Sequence, residues 1–247
     1  MKKLLFEENF SGNTLDLNKW KVITGGHGWG NNEDQYYVDD NRNIIVDNGL
    51  KIIGLKQKHE NRNYTSGKII SYQSFQYGHF EMVCKVPSGN GAWPAIWMLP
   101  AIKDAPWPEC GEIDIVECIG RNPNTMHFSL HTGLYNHVLN NQRTEVVKCD
   151  GTADRFILYS MDWTKDCISF AIDGKQCARF DKDDPRYEKG VKSWPFDKPF
   201  YLICNLAIGG NWGGKIDDSK LPMTFEIKSI KVYSLEWLNW KRKQFMI

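Results

Sequence analysis

Gly111-Glu112-Ile113-Asp114-Ile115-Val116-Glu117 puts three carboxylates into six residues of an otherwise apolar, strand-like run. Ionised groups in a dry environment shift their pKa or find partners, so burying this much charge is costly unless the acids are used. Strict alternation places Glu112 and Asp114 on one face of a strand and sends Glu117 to the other. One extra residue, a β-bulge between Asp114 and Glu117, brings all three to the same side. Two glutamates bracketing an aspartate on one strand suit glycoside hydrolysis by a carboxyl pair. The competing reading is an exposed edge strand bearing ordinary surface acids.

Outward from this stretch the chain is rich in similar runs: Gly49–Leu55, Gly67–Ile70, His79–Val86, Gly111–Ile119, Met126–His131, Phe156–Trp163, Cys167–Ile172, Tyr201–Ala207 and Phe225–Tyr233. Turn clusters such as Asp47-Asn48-Gly49 and Asp173-Gly174 separate them. Many short strands without a long amphipathic helix predict an all-β sandwich or barrel. The clearest hairpin joins Cys167–Ile172 to Lys175–Phe180 across Asp173-Gly174. Trp237–Ile247 is expected to add a short helix, and residues 1–247 to form a single domain.

Thirty-one Lys+Arg against thirty Asp+Glu leave a net charge of +1. That balance gives no reason to expect nucleic acid, an anionic membrane surface or a polyanionic substrate. No apolar stretch approaches the roughly 20 residues that span a bilayer. Met1–Phe6 mimics the start of a secretory leader, but Glu7 and Glu8 interrupt it well short of the roughly 7–15 apolar residues required. Seven cysteines, an odd number without a metal-type CxxC pair, read as free buried thiols. A reducing, cytoplasmic setting is therefore expected, with secretion the alternative if a signal peptide has been removed.

Ten tryptophans and ten tyrosines exceed what a core of this size needs. Trp29, Trp93, Trp107 and Trp212 sit beside glycine, asparagine or proline, as turn residues do. Sugar rings stack apolar C–H faces on indoles and leave their hydroxyls to Asn, Gln and carboxylates. Gly28–Tyr37 thus reads as a polar-aromatic wall, with a polar loop around a core tryptophan as the alternative. Trp93 and Trp97 are four apart around a proline, and either suits the core.

Together these words resemble glycoside hydrolase family 16, in its laminarinase branch. Glu112–Glu117 matches the family's Glu-hydrophobic-Asp-hydrophobic-hydrophobic-Glu pattern in its bulged form. Gly28–Tyr37, Tyr64–Gly67, Trp93–Leu99 and Asn205–Gly214 match flanking blocks in order along nearly the whole chain. The resemblance implies a β-jelly-roll of two curved antiparallel sheets with a substrate cleft on the concave face. It also implies retaining hydrolysis of internal β-1,3-linkages in laminarin-type glucans. Glu112 would be the nucleophile, Glu117 the general acid/base, and Asp114 the residue that holds Glu112. Asn31, Glu33 and Tyr36 would bond sugar hydroxyls, and Trp93 and Trp97 would flank the catalytic strand. His131 would reach the acid/base or the leaving-group sugar, and Trp212 would close one wall. A mixed-linkage glucanase, a β-galactan hydrolase, a transglycosylase and a non-catalytic glucan-binding module remain alternatives.

Two departures from the family stand out. Lys68 occupies the place where many members carry a glucan-binding arginine, keeping the charge but losing the planar fork. Members often hold a structural calcium, yet Asn9 and Lys228 stand at two of its ligand positions, and an ammonium opposes a divalent cation. No metal site and no cofactor are expected, and the protein is expected to be a monomer.

Overall fold

The computed structural model describes residues 3–102 and 104–235. The expected helix over Trp237–Ile247 lies outside the described residues. Among the described residues the strands are β1 (Leu4–Glu8), β2 (Trp20–Val22), β3 (Gln35–Tyr37), β4 (Ile44–Val46), β5 (Leu50–Gly54) and β6 (Tyr64–Ser66). There follow β7 (Lys68–Phe75), β8 (Gly78–Lys85), β9 (Ala92–Pro100), β10 (Glu112–Glu117), β11 (Thr125–His131) and β12 (Arg143–Lys148). The last are β13 (Ile157–Trp163), β14 (Cys167–Ile172), β15 (Lys175–Asp181), β16 (Phe200–Ile208) and β17 (Met223–Tyr233).

They form a β-jelly-roll of two large antiparallel sheets. One runs β15-β14-β13-β8-β17-β5-β4, with β1 also paired to β17, and the other runs β12-β11-β10-β9-β16-β7-β2. A small parallel pair, β3 with β6, forms a third sheet. β8 alternates buried and half-buried residues without a break, so Phe80, Met82 and Cys84 enter the core. β16 departs from that pattern and is buried on both faces. One of its faces belongs to the core and the other floors a cleft. Trp163 of β13 reaches across the core to Phe200 of β16, with ring centroids 5.4 Å apart at 82°.

All nine expected runs form strands, and the Asp173-Gly174 hairpin is present with φ of +47° and +80°, the positive values a type I′ turn needs. Leu4–Glu8 pairs along β17. β9 was hidden by Pro94, because proline argues against a central strand. Pro94 lies past the last β10 partner, Ala95↔Glu117, so its missing N–H removes no bond from that ladder. All seven thiols are free, and six of them are buried. Lys228 stands with its ammonium 5.6 Å from the centroid of the Phe156 ring.

Candidate active site

Register converts the outer face of the seven-stranded sheet into a grid of side chains. Glu117 lies level with Ala95, Asn205 and Lys68, while Asp114 lies level with Trp97, Ile203 and Ile70. β10 pairs Asp114 with Trp97 and Val116 with Ile96, leaving Ile115 as the extra residue. This is the bulge that alternation demanded. Ile115 and Val116 both turn inward and are fully buried, so Glu117 comes out on the same face as Glu112 and Asp114. All three acids line a cleft of about 410 Å³ whose walls include Trp29, Trp93, Trp97 and Trp107.

Each glutamate accepts one indole N–H. Trp107 Nε1 donates to Glu112 Oε2 at 2.8 Å, and Trp93 Nε1 donates to Glu117 Oε1 at 3.0 Å. Glu112 and Asp114 share a carboxyl–carboxyl hydrogen bond, which requires a proton on one of them. His131 Nε2 stands 3.2 Å from Asp114 Oδ2 and 3.8 Å from Glu112 Oε1. The direction is poor, and among the described residues Asp114 Oδ2 has no hydrogen-bond partner.

Burial raises all three acids. Glu112 is pushed up to about 8 by burial and then by the Asp114 charge, against His131 and the Trp107 N–H. Burial also lifts Asp114 to about 8. Glu117 is driven up as well, by burial and the Asp114 charge, with the Trp93 N–H opposing. The cluster therefore tolerates little negative charge.

Among the described residues, Glu112, Asp114 and His131 are the group that comes nearest to a metal-ligating set, with ligand atoms within 4.8 Å of one another. The donors do not suit an ion. His131 Nδ1 accepts the His137 backbone N–H at 3.3 Å, so in the neutral ring Nε2 carries the proton and has no lone pair to offer.

Of the residues expected to hold sugar, Asn31, Glu33, Lys68, Trp93 and Trp97 line the cleft. Tyr36 does not. Alternation along β3 turns Gln35 and Tyr37 inward and Tyr36 away, where its ring rests on His59 at 4.6 Å and its hydroxyl bonds Glu60 at 3.3 Å. A Cβ on Gly26 would meet the Tyr36 ring at 2.3 Å, so glycine there lets the ring lie flat. Tyr37 takes the place assigned to Tyr36, donating to Glu33 Oε2 at 3.1 Å and accepting from Asn205 Nδ2 at 3.0 Å.

Trp212 does not form the cleft wall either. It packs edge-on against Trp93, 5.3 Å between centroids, and braces the indole that holds Glu117. His131 lies close to Asp114 and Glu112, and its charge also acts on Glu117. Sequence reasoning missed Trp107, His137, Tyr201 and Asn205 as cleft residues. Tyr201, Ile203, Asn205 and Ala207 were legible as one face of a strand, but which face meets the cleft was not. His137 sits on a short turn after β11, and no sequence signal marks it.

Replacing Trp107 by phenylalanine removes the N–H that stabilises ionised Glu112. A hydrogen bond to a charged group contributes about 1.5–3 kcal/mol, so kcat/KM should fall roughly ten- to hundredfold. The lost donor also raises the Glu112 pKa, and the acid limb of the kcat/KM profile should move to higher pH. A variant with an unshifted limb would show that the bond does not act on the reacting carboxylate.

Residues 29–224 match the family Glycosyl hydrolases family 16. A β-glucanase from Rhodothermus marinus is 39% identical over 244 residues, covering 94% of this chain and 85% of that protein. The crystal structure of the laminarinase from Rhodothermus marinus superposes with a TM-score of 0.91 at 38% identity, covering 95% of this chain and 98% of that one. A non-specific endo-β-1,3(4)-glucanase of the same family, crystallised with 1,3-β-D-cellotriosyl-glucose, gives 0.89 at 36% identity, over 94% of this chain and 95% of its own. With the bulged acid strand, the aromatic cleft and a match over most of its length, this chain belongs to glycoside hydrolase family 16.

Proposed function

We infer that the protein is a retaining endo-β-1,3-glucanase acting on laminarin-type glucans. One observation carries the reading: the bulge sets Glu112 and Glu117 on one face of β10, each fixed by an indole N–H, in a cleft walled by tryptophans.

In the first step the Glu112 carboxylate attacks the anomeric carbon while Glu117 gives its proton to the departing glycosidic oxygen, leaving a covalent glycosyl-enzyme. In the second, ionised Glu117 takes a proton from water, the water oxygen attacks the same carbon, and Glu112 leaves as a carboxylate. Asp114 serves this cycle by holding Glu112 in place through the contact between the two carboxyls. Burial keeps Glu117 protonated before the first step, as an acid catalyst at neutral pH requires. The seven free thiols favour a reducing compartment such as the cytoplasm.

Incubation with laminarin and with lichenan, followed by product chromatography, tests the reading. Laminarin should be cut to short oligosaccharides with the β-configuration kept at the new reducing end. Faster cleavage of lichenan would move the preference to mixed linkages. Binding without reducing-sugar release would overturn the enzymatic reading.

A further inference from the structure

Glu112 is aimed by an indole that stands partly in solvent. Trp107 is 37% exposed, and residues 104–111, between β9 and β10, form no strand. Its Nε1–H nevertheless reaches Glu112 Oε2 at 2.8 Å. Such a bond fixes the carboxylate only if the ring plane is itself held, because a side chain in a surface loop has rotamers to choose from. Among the described residues two imidazoles meet the indole. His137 lies 4.9 Å away between centroids at 35°, and His131 lies 6.3 Å away at 43°. The closer contact is within the range of offset-stacked ring pairs.

The turn that carries His137 is fastened from several sides. Asn136 Oδ1 accepts the Val138 and Leu139 N–H groups at 3.1 and 3.2 Å, and Asn136 Nδ2 donates to the Thr132 carbonyl at 3.1 Å. The His137 N–H donates to His131 Nδ1 at 3.3 Å, which ties the turn back to β11. Gly133 lets the Trp107 loop lie against this turn, since a Cβ there would meet Glu109 Cγ at 3.1 Å and the Lys192 carbonyl at 3.4 Å. Val138 and Leu139, whose burial would stabilise the turn, stand 67% and 56% exposed. The polar His137 is the residue turned to the indole instead.

We propose that His137 is a positioning residue of the reaction: its ring is the plate that sets the plane of the Trp107 indole, and through the indole N–H the aim of Glu112 at the anomeric carbon. The inference rests on the glucanase reading above. No sugar contact and no proton transfer is asked of the imidazole. Its flat face acts, so another aromatic ring at the same place serves as well.

The test measures kcat, KM and the pH profile of kcat/KM on laminarin for wild type, His137→Ala, His137→Phe, Trp107→Phe and the double variant Trp107→Phe/His137→Ala. In His137→Ala, kcat should fall about tenfold while KM stays within about twofold, as expected when an interaction of the transition state is lost. The acid limb of its profile should move to higher pH, as in Trp107→Phe. His137→Phe removes the imidazole nitrogens but keeps a plate, so its kcat should lie within about twofold of wild type and its acid limb should not move. Once the indole N–H is gone there is nothing left to aim, so the double variant should be no slower than Trp107→Phe alone. Losses that multiply in the double variant would show that His137 acts apart from Trp107 and overturn the proposal. A raised KM with kcat kept would make it a sugar contact, and a His137→Phe protein as slow as His137→Ala would assign the effect to the imidazole nitrogens; either overturns the proposal, as does wild-type kcat in His137→Ala. Failure of the wild type to cut laminarin would overturn the glucanase reading itself, and the proposal with it.

Discussion

Laminarin hydrolysis should disappear in Glu112→Ala and fall by roughly 10²–10⁴-fold in Glu117→Gln, with both proteins folded. The two losses have different chemistry. Without Glu112 no glycosyl-enzyme forms, and a small anion such as azide fits the vacated space and attacks the anomeric carbon directly. The product is then the α-configured glycosyl azide, with inversion where the native reaction retains. Without the Glu117 proton the leaving oxygen departs as an alkoxide, so substrates with poor leaving groups suffer most and activated aryl glycosides least. Undiminished laminarin cleavage by either variant would sink the assignment.

The same substitutions should affect stability with a definite sign. The folded-state pKa values of Glu112, Asp114 and Glu117 are raised by burial above those of the unfolded chain. Folding therefore holds protons that the unfolded chain releases, and stability is lost as pH rises from the unfolded values towards the raised ones. Glu117→Gln removes one such group. Its melting temperature should match wild type near pH 4 and exceed it near pH 8, whereas a uniform loss at both pH values would point to damaged packing.

Trp163→Ala should be the most destabilising single change among the core aromatics. Trp163 is fully buried and meets Tyr77 at 5.4 Å, Phe80 at 6.4 Å and Phe200 at 5.4 Å between ring centroids. It thus ties β13 and β8 of one sheet to β16 of the other. Truncation of a large buried aromatic costs about 3–5 kcal/mol, through lost transfer energy and the cavity left behind. For a chain of this length that is a drop of roughly 6–20 °C in melting temperature. Among the described residues the indole N–H of Trp163 has no hydrogen-bond partner, so no polar bond is lost with it. Trp163→Phe keeps most of the ring and removes the unpaired donor, and should cost far less. Equal losses from the two substitutions would show that the site does not act through volume. β16 supplies Asn205, Ile203 and Tyr201 to the cleft, so residual activity of Trp163→Ala should fall with its stability as the assay is warmed.

The acid strand was legible because its chemistry and its geometry conflict in the sequence. Three carboxylates among Ile113, Ile115 and Val116 satisfy alternation on one face only if the strand is bulged, and Ile115 is the residue set aside. The Asp173-Gly174 hairpin was legible because few residues adopt two successive positive φ values. Tyr36 was misplaced because a run of polar and aromatic residues does not reveal the phase of its alternation. The short parallel pairing of β3 with β6 sets that phase and turns Tyr37 to the cleft. Trp212 was read as a wall because it is a tryptophan in a glycine-rich turn, and only its packing shows that it supports Trp93.

By itself, then, the sequence determined the strand pattern, the bulged trio of acids and the aromatic supply for a sugar cleft, since all of these depend on neighbours within a few residues along the chain. Tertiary structure alone decided that Trp107 and Trp93 each hold one catalytic glutamate, that His131 stands closer to Asp114 than to the glutamates, and that Lys68 is caged by Trp29, Tyr37 and Trp97. These contacts join residues from different strands and loops. Register and loop closure, which no local pattern encodes, bring them within reach.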